Sequence, residues 1–533
     1  MNIRNLYKGM IAGALVLSAA SCTKDLNRLP IVQVTSASVY SSPVTIKEAL
    51  AKIYGGLALS GQDVGASPDI SAPDIGSNTY FRNFWEAEEL PTDEAVIAWN
   101  DGDLQQYHTM NWTPQMAYLT LWYNRVFFEI SSANEFIREL PDSKIAGFSA
   151  SDAANIKTYR NEARFIRAMA YWHAIDHFGN IPFATETSGV GVSPKQASRD
   201  SVFKFVESEL LDLQGLLPDP GRNEYGRADK GAVWAVLAKL YLNAKVYTNQ
   251  DRSTDCITYC NKIISSSTVY SLAAHYANLF EIDNHTTSKE IIFAIRANGL
   301  TSQSYGNATF LVHAAIGGSM DPAQFGVGGG WGGLRVTANL YNLFADPSGN
   351  TDTRAMFYTS GQTKDIADLK NFNDGYTVTK FKNVSSTGKV GSDPSGNFTD
   401  LDFPLFRLGD IYLMYAEATL RGGGGGDAGT ALGYVNALRD RAYENAPGVI
   451  TGEIVAADLT LPFILDERAR ELYWEGSRRT DLIRYGLFTS AAYVWPWKGG
   501  ALNGTGVDAH LNIYPLASTD IVANPNLKQN TGY

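Results

Sequence analysis

Residues Asn161 to Phe178 read NEARFIRAMAYWHAIDHF, followed by Gly179 and then Pro182. Aromatic and apolar side chains recur there at helical intervals with small Ala residues between them, and the Gly with its nearby Pro closes the pattern; this predicts a helix over 161–178. Before it, Tyr118–Leu140 carries Trp122, Tyr123, Phe127, Phe128 and Phe136 at the same intervals, an amphipathic helix whose rings are mostly core. Lys47–Leu59 and Val202–Leu217 follow the same period. Lys230–Tyr247 (KGAVWAVLAKLYLNAKVY) with Thr254–Ser265 makes a helical hairpin with small Ala residues at the contact. Tyr412–Leu420 and Ala428–Tyr443, joined through the glycines of Gly422–Gly426, make another. Units of about 34 residues built this way suggest tetratricopeptide-like hairpins. Gly61–Asn83 reads as loop, and residues 266–400 are rich in Gly, Ser, Asn and Thr with little helical period. Long irregular stretches of that kind are usually functional. The expected fold class is mainly α, with hairpins supporting an irregular, loop-rich region.

The chain has 533 residues, 44% hydrophobic and 19% charged, which excludes a mainly disordered protein. Its 44 basic against 55 acidic residues leave a formal charge of -11, so no positive field is available for a phosphate backbone and nucleic acid is excluded as a partner. Aromatic residues reach 12%, a composition suited to neutral, ring-shaped ligands. At the N-terminus, Arg4 and Lys8 precede the apolar run Met10–Ala20, and Ala19, Ala20, Ser21 and Cys22 follow the pattern of a bacterial lipobox. Residues 1–21 are expected to be a signal peptide, Cys22 the lipidated residue, and residues 22–40 a tether; ordinary secretion without the lipid is the alternative. Removing 1–21 takes away two cations and no acid, so the charge falls to -13 and the lipid must supply the anchoring. Cys256 and Cys260, four apart in a helical pattern, aim their Cβ atoms poorly for a disulfide and read as two buried structural thiols.

Several patterns resemble chemical motifs. Gly328–Gly333, GGGWGG, formally satisfies G-x-G-x-x-G with Asp352 some way beyond, but no strand frames it. It reads instead as a loop whose glycines leave Trp331 uncovered. His173 and His177 share a helix face, yet Ala174, Ile175 and Asp176 lie between them and the glutamate of a zinc protease is absent. Leu465–Tyr485, LDERARELYWEGSRRTDLIRY, is read as one helix whose acids each have an Arg within three or four residues. Such pairing keeps a carboxylate ionised and unfit as a glycosidase proton donor. Asn100–Asp103 is a short acidic turn without the ligand schedule of a calcium loop. No metal, cofactor or catalytic residue is expected.

Jointly, DLNRLP after Cys22, LPTDEAV at Leu90–Val96, NEARFIRAMAYWHAIDHFGNIPF, GRADKGAVWAVLAKLYL, FPLFRLGDIYLMYAEA, ILDERARELYWEGSRRTDLIRYG and the ending ANPNLKQNTGY resemble the SusD/RagB family of surface glycan-binding lipoproteins, in the family's order. The resemblance implies a body over 41–533, with an N-terminal SusD-like part over about 41–225, a C-terminal SusD/RagB part over about 280–533 and the hairpins interleaved. It implies a non-enzymatic protein at the cell outer membrane, facing the exterior, that captures oligosaccharide or polysaccharide and passes it to a SusC-like TonB-dependent transporter. A surface glycosidase and a transporter lid for peptide cargo are the alternatives. Family sites are arcs of aromatics from a loop before the acidic TDE stretch and from mid-chain loops. In those regions lie Tyr80, Trp85 and Trp99, then Tyr305, Phe325 and Trp331. A pyranose has an apolar face and a hydroxyl rim, so flat rings and polar side chains are needed together. The expected platform is Trp85, Tyr305 and Trp331, with Tyr80 and Phe325 nearby and Arg82, Asn83 and Asn307 on the rim; Trp99, next to a helical run, is weighed as core.

Overall fold

The Ser149 hydroxyl accepts from the Asp152 N–H at 3.2 Å and caps the longest helix, which runs over Ala150–Phe178 and ends at Gly179 (φ 67°). The cap, an ST motif that satisfies an otherwise orphan donor, starts the helix well before the apolar period becomes legible at Asn161. The computed structural model describes residues 36–62, 64, 67–444 and 451–533. The expected signal peptide, Cys22 and most of the tether lie outside the described residues. The chain divides into two units, Met1–Ala49 and Leu50–Tyr533. In the first, the described residues form the helix Ser36–Val39 and the start of α1 (Pro43–Ala58).

The second unit is mainly helical, as expected. Its principal helices are α2 (Tyr80–Glu89), α3 (Ala117–Glu139), α4 (Ala150–Phe178), α5 (Arg199–Leu213), α6 (Lys230–Leu242), α7 (Ser253–Ile264), α8 (Ala308–Ala314), α9 (Leu408–Leu420), α10 (Ala428–Ala442), α11 (Leu461–Leu472) and α12 (Arg478–Arg484). Helix α3 packs on α4, α6 on α7, α7 on α9 and α9 on α10, so the two expected hairpins are neighbours in space. The Cys256 and Cys260 thiols are free and buried between these helices, with sulfurs 4.0 Å apart. Strands are short: β1 (Val96–Ile97), β2 (Ile181–Phe183), β3 (Lys195–Ala197), β4 (Ile291–Ile295), β5 (Leu334–Arg335), β6 (Phe357–Tyr358), β7 (Thr377–Val378) and β8 (Phe403–Arg407). They form four antiparallel pairs, β1 with β5, β2 with β3, β4 with β8 and β6 with β7.

Two sequence expectations are corrected here. The loop over Gly61–Asn83 gives way to helix at Tyr80, and all ten residues of α2 are buried. The single helix over Leu465–Tyr485 is broken between α11 and α12, where Trp474 (φ 62°) and Gly476 (φ 74°) take left-handed backbone. The break has a packing cause. A Cβ on Gly476 would lie 2.6 Å from the Phe84 ring, and the Trp474 indole turns inward to donate to the Glu94 carbonyl at 3.0 Å.

Buried charge fixes the helices to one another. Arg407 donates to Glu290, Glu471 and Glu475, and Arg354 to Asp352, Glu467 and Glu471, all at 2.6–3.1 Å and almost entirely out of solvent. Arg468 bridges Asp410 of α9 and Asp481 of α12. Removing one member of such a lattice strands an uncompensated ion.

Candidate functional site

Thr79 caps α2: its hydroxyl accepts from the Arg82 N–H at 3.3 Å and donates to the Gly306 carbonyl at 2.7 Å, tying the start of the helix to the loop that carries Tyr305. The two backbones touch. A Cβ on Gly76 (φ 93°) would lie 2.6 Å from the Tyr305 carbonyl carbon, and one on Gly306 2.1 Å from the Gly76 oxygen, so neither place admits a side chain.

A second clamp sets the tryptophans. Strand β1 pairs with β5, Val96 opposite Arg335 and Ile97 opposite Leu334, and the Ala98 N–H extends the ladder to the Gly333 carbonyl at 2.8 Å. Just beyond, the Trp99 Nε1–H donates to the Trp331 carbonyl at 3.0 Å. The N–H groups of Trp331, Gly332 and Gly333 donate at 2.8 Å to the carbonyls of His313, Ile316 and Ala314 at the end of α8. The glycine run therefore satisfies carbonyls that a helix terminus leaves open. His313 stacks beneath Trp331, with ring centroids 4.8 Å apart and planes 19° apart. Its Nδ1 faces the Gly329 carbonyl at 2.7 Å and so carries the hydrogen, and burial holds its pKa below the usual imidazole range.

These clamps place Tyr305, Trp331 and Trp99 around a surface cavity of about 390 Å³ whose other lining residues are Asp74, Ile75, Arg82 and Asp101. Tyr305 and Trp331 stand 6.1 Å apart with their planes 54° apart, and Trp331 and Trp99 6.2 Å apart at 47°. The three rings form an arc, each half-buried with its remaining surface open. Arg82 underlies it. Its guanidinium lies over Phe310 (4.6 Å) and Trp99 (5.5 Å), with Nε 2.8 Å from Glu86 and Nη1 2.8 Å from Asp74. Burial alone would lower the Arg82 pKa, but the two carboxylates outweigh it and keep it raised; burial pushes Glu86 up.

Of the sequence-derived candidates, Tyr305, Trp331 and Arg82 meet at this cavity and five do not. Trp85 is 0% exposed, its Nε1–H donating to the Trp474 carbonyl at 2.9 Å, because the helix capped by Thr79 turns it inward. Tyr80 is buried with its hydroxyl 2.7 Å from His173 Nδ1. Asn83 donates to the Ser77 and Thr79 carbonyls, and Asn307 caps α8 by accepting from the Thr309 N–H at 2.9 Å. Phe325 is buried in the short 3-10 helix Pro322–Phe325. Trp99, weighed as core, lines the cavity instead; so do Asp101, read only as part of the Asn100–Asp103 turn, and Asp74 and Ile75, which lie in the stretch read as loop. The signal for Trp99 and Asp101 was the acidic turn Asn100–Asp103: a tryptophan entering a polar Gly turn is at the surface.

Starch-binding protein SusD of Bacteroides thetaiotaomicron is 32% identical to this chain over an alignment of 579 positions that takes in 100% of this chain and 99% of that one. The chain belongs to the SusD family. The SusD family profile matches residues 347–533, and a profile described as "Starch-binding associating with outer membrane" matches 34–242. SusD-like protein P25 of Formosa agariphila is 24% identical over 100% of both chains. The fold is shared with a SusD superfamily protein from Bacteroides vulgatus (TM-score 0.71, 19% identity, 92% of this chain and 99% of that one). It is also shared with surface glycan-binding protein A from Bacteroides thetaiotaomicron in complex with laminarihexaose (TM-score 0.69, 21% identity, 91% and 98%).

As a SusD-family member the chain is a binding protein and not an enzyme. Its helix-borne acids are engaged accordingly: Glu467 pairs with Arg354, Arg439 and Arg470, and Glu471 with Arg354, Arg407 and Arg441. Glu88, Asp176 and His177 also converge in this SusD-family interior. Arg479 Nη1, 3.3 Å from Asp176 and 3.7 Å from Glu88, already supplies the positive charge there. Among the described residues, no helix is long and apolar enough to cross a membrane.

Proposed function

We propose that the protein binds starch-like α-glucan at the arc of Tyr305, Trp331 and Trp99 and delivers it to a SusC-like TonB-dependent transporter, held on the outer membrane, facing outward, by lipid on Cys22. The observation that carries the reading is the arc itself: three fixed aromatic faces at successive angles of 54° and 47°. Flat rings suit the apolar faces of sugars, and rings set on a curve suit a chain that curls, as α-1,4-linked glucose does, better than a straight ribbon. Arg82, Asp74 and Asp101 supply donor and acceptor groups for the hydroxyl rim. The starch-binding relative at 32% identity supports the same ligand class. Affinity is on the order of micromolar to millimolar, because a shallow site leaves hydroxyls wet and a flexible glycan loses entropy. Calorimetric titration with maltoheptaose and with cellohexaose tests it: the first binds and the second does not. Equal binding of both, or of neither, defeats the assignment. Labelled palmitate that enters the wild type but not Cys22→Ala checks the anchor, and co-purification with a TonB-dependent transporter from the native membrane checks the partner.

A further inference from the structure

The charge at the mouth of the cavity is unbalanced. Among the residues that line it, Arg82 is the one cation, and its charge is already engaged at 2.8 Å by both Asp74 and Glu86. The Asp101 carboxylate accepts no hydrogen bond and forms no ion pair among the described residues; it stands exposed at the start of a turn where a Cβ added to Gly102 (φ 55°) would meet nothing within 4 Å. The Asp74 side chain, although paired, is itself 44% exposed. A ligand entering this cavity therefore meets one free carboxylate and one half-exposed carboxylate, while the one lining cation, Arg82, is 1% exposed and already offset by two carboxylates.

We propose that Asp101, with Asp74 lining the same cavity, makes this site select uncharged glycans and reject acidic ones. The inference rests on the glycan reading given above and adds a substrate class and a residue to it. An ionised carboxylate is acceptor-only and takes hydroxyl hydrogens from a neutral sugar, two at a time where the hydroxyls are vicinal. The same group repels a uronate or a sulfate ester, which would have to shed water beside it with no uncompensated cation in reach. Because Asp101 is exposed, the repulsion acts through water and counter-ions; it penalises an acidic ligand about five- to tenfold at low salt and weakens as the Debye length shrinks. The full chain's formal charge of -11 acts in the same direction at longer range.

The test uses the full-length protein and one oligosaccharide in two forms: maltoheptaose, and the same chain with its C6 positions oxidised to carboxylates. Calorimetry at low and high salt should give neutral-ligand binding that salt leaves nearly unchanged. The oxidised form should bind at least fivefold more weakly at low salt, with the gap narrowing at high salt. Asp101→Asn, on an exposed turn, should leave folding intact, raise affinity for the oxidised form severalfold and lower it modestly for the neutral one. Asp74→Asn, which also releases Arg82, should raise the oxidised form further. Equal binding of both forms to the wild type, or a gap that Asp101→Asn does not change, overturns the proposal while leaving the glycan reading intact. Failure of the wild type to bind maltoheptaose at all overturns both.

Discussion

The Trp99 indole N–H donates to the Trp331 main-chain oxygen at 3.0 Å, so the Trp99 ring is fixed to the backbone that carries the other tryptophan of the cavity as well as to its own segment. Trp99→Ala should therefore cost more than one stacking face, since the Trp331 loop loses a restraint too. We expect a fall in maltoheptaose affinity on the order of 30-fold, the scale of a central aromatic anchor. Trp99→Phe, which keeps a ring and loses the donor, should fall between. Both rings are only half-buried, so thermal unfolding should move little, and a large drop in Tm for Trp99→Ala would count against this placement.

Gly333→Ala offers a backbone route to the same effect. A Cβ there would come within 2.5–2.7 Å of three Trp99 ring atoms, and the indole must move to admit it. Titration of this variant should show at least a tenfold loss of affinity, since misplacing a rigid contact surface forfeits its preorganisation. Gly329, where an added Cβ meets nothing within 4 Å, is the control: Gly329→Ala should bind as the wild type does.

Trp85→Ala should behave in the opposite way to Trp99→Ala. The side chain is fully buried, packs at 5.5 Å against Phe310 and Trp474, and gives its N–H to the Trp474 carbonyl. Truncating it should cost about 3–5 kcal/mol in denaturant unfolding. Protein that remains folded should retain binding, although Phe310 connects the site of damage to Arg82.

Acid should weaken the protein through its buried carboxylates. Burial alone would raise Glu471, but Arg441, Arg407 and Arg354 hold it down at about 2 against an ordinary value of 4.5, and Arg484 holds Glu417 at about 2 as well. Below pH 4.5 the unfolded chain takes up these protons first, so the stability they contribute is present above 4.5 and lost as pH falls toward 2. Urea unfolding across that range should show it. Glu471→Gln should cost about 3–5 kcal/mol at neutral pH by leaving guanidinium groups uncompensated.

Glu129 carries the reverse sign. Burial raises it to about 8, and neither of its carboxyl oxygens has a hydrogen-bond partner among the described residues. The folded protein therefore holds a proton that the unfolded chain releases above 4.5, and stability declines between pH 4.5 and 8 on this account. Glu129→Gln should flatten that decline in urea unfolding measured from pH 5 to 9; an unchanged slope would assign it to another group.

The helices were legible because their information is local. The period around Phe165, Trp172 and Ile175 and the stop at Gly179 are written within one segment, and the two hairpins likewise. Trp85 and Trp99 show where that information ends. Both are tryptophans near the acidic TDE stretch, and what separates them is the Thr79 cap, which winds residues 80–89 into a buried helix, and the β1–β5 pairing, which sets Trp99 against a segment more than two hundred residues away. The break at Trp474 was hidden for the same reason: the force that bends the chain there is Phe84, distant in sequence. Trp331 could be read because its glycine neighbours declared it uncovered without reference to any partner.

The ring arc is assembled from three remote segments joined by two-residue strands and a few main-chain hydrogen bonds, and it meets the helices mainly at Arg82 of α2 and at the end of α8, whereas the helical framework is held by ion lattices and helix packing elsewhere. Recognition and architecture are thus written in different parts of the chain. Exchanging the loops around Trp99, Tyr305 and Trp331 for others of similar span would refit the protein to another sugar while its scaffold went on folding as before.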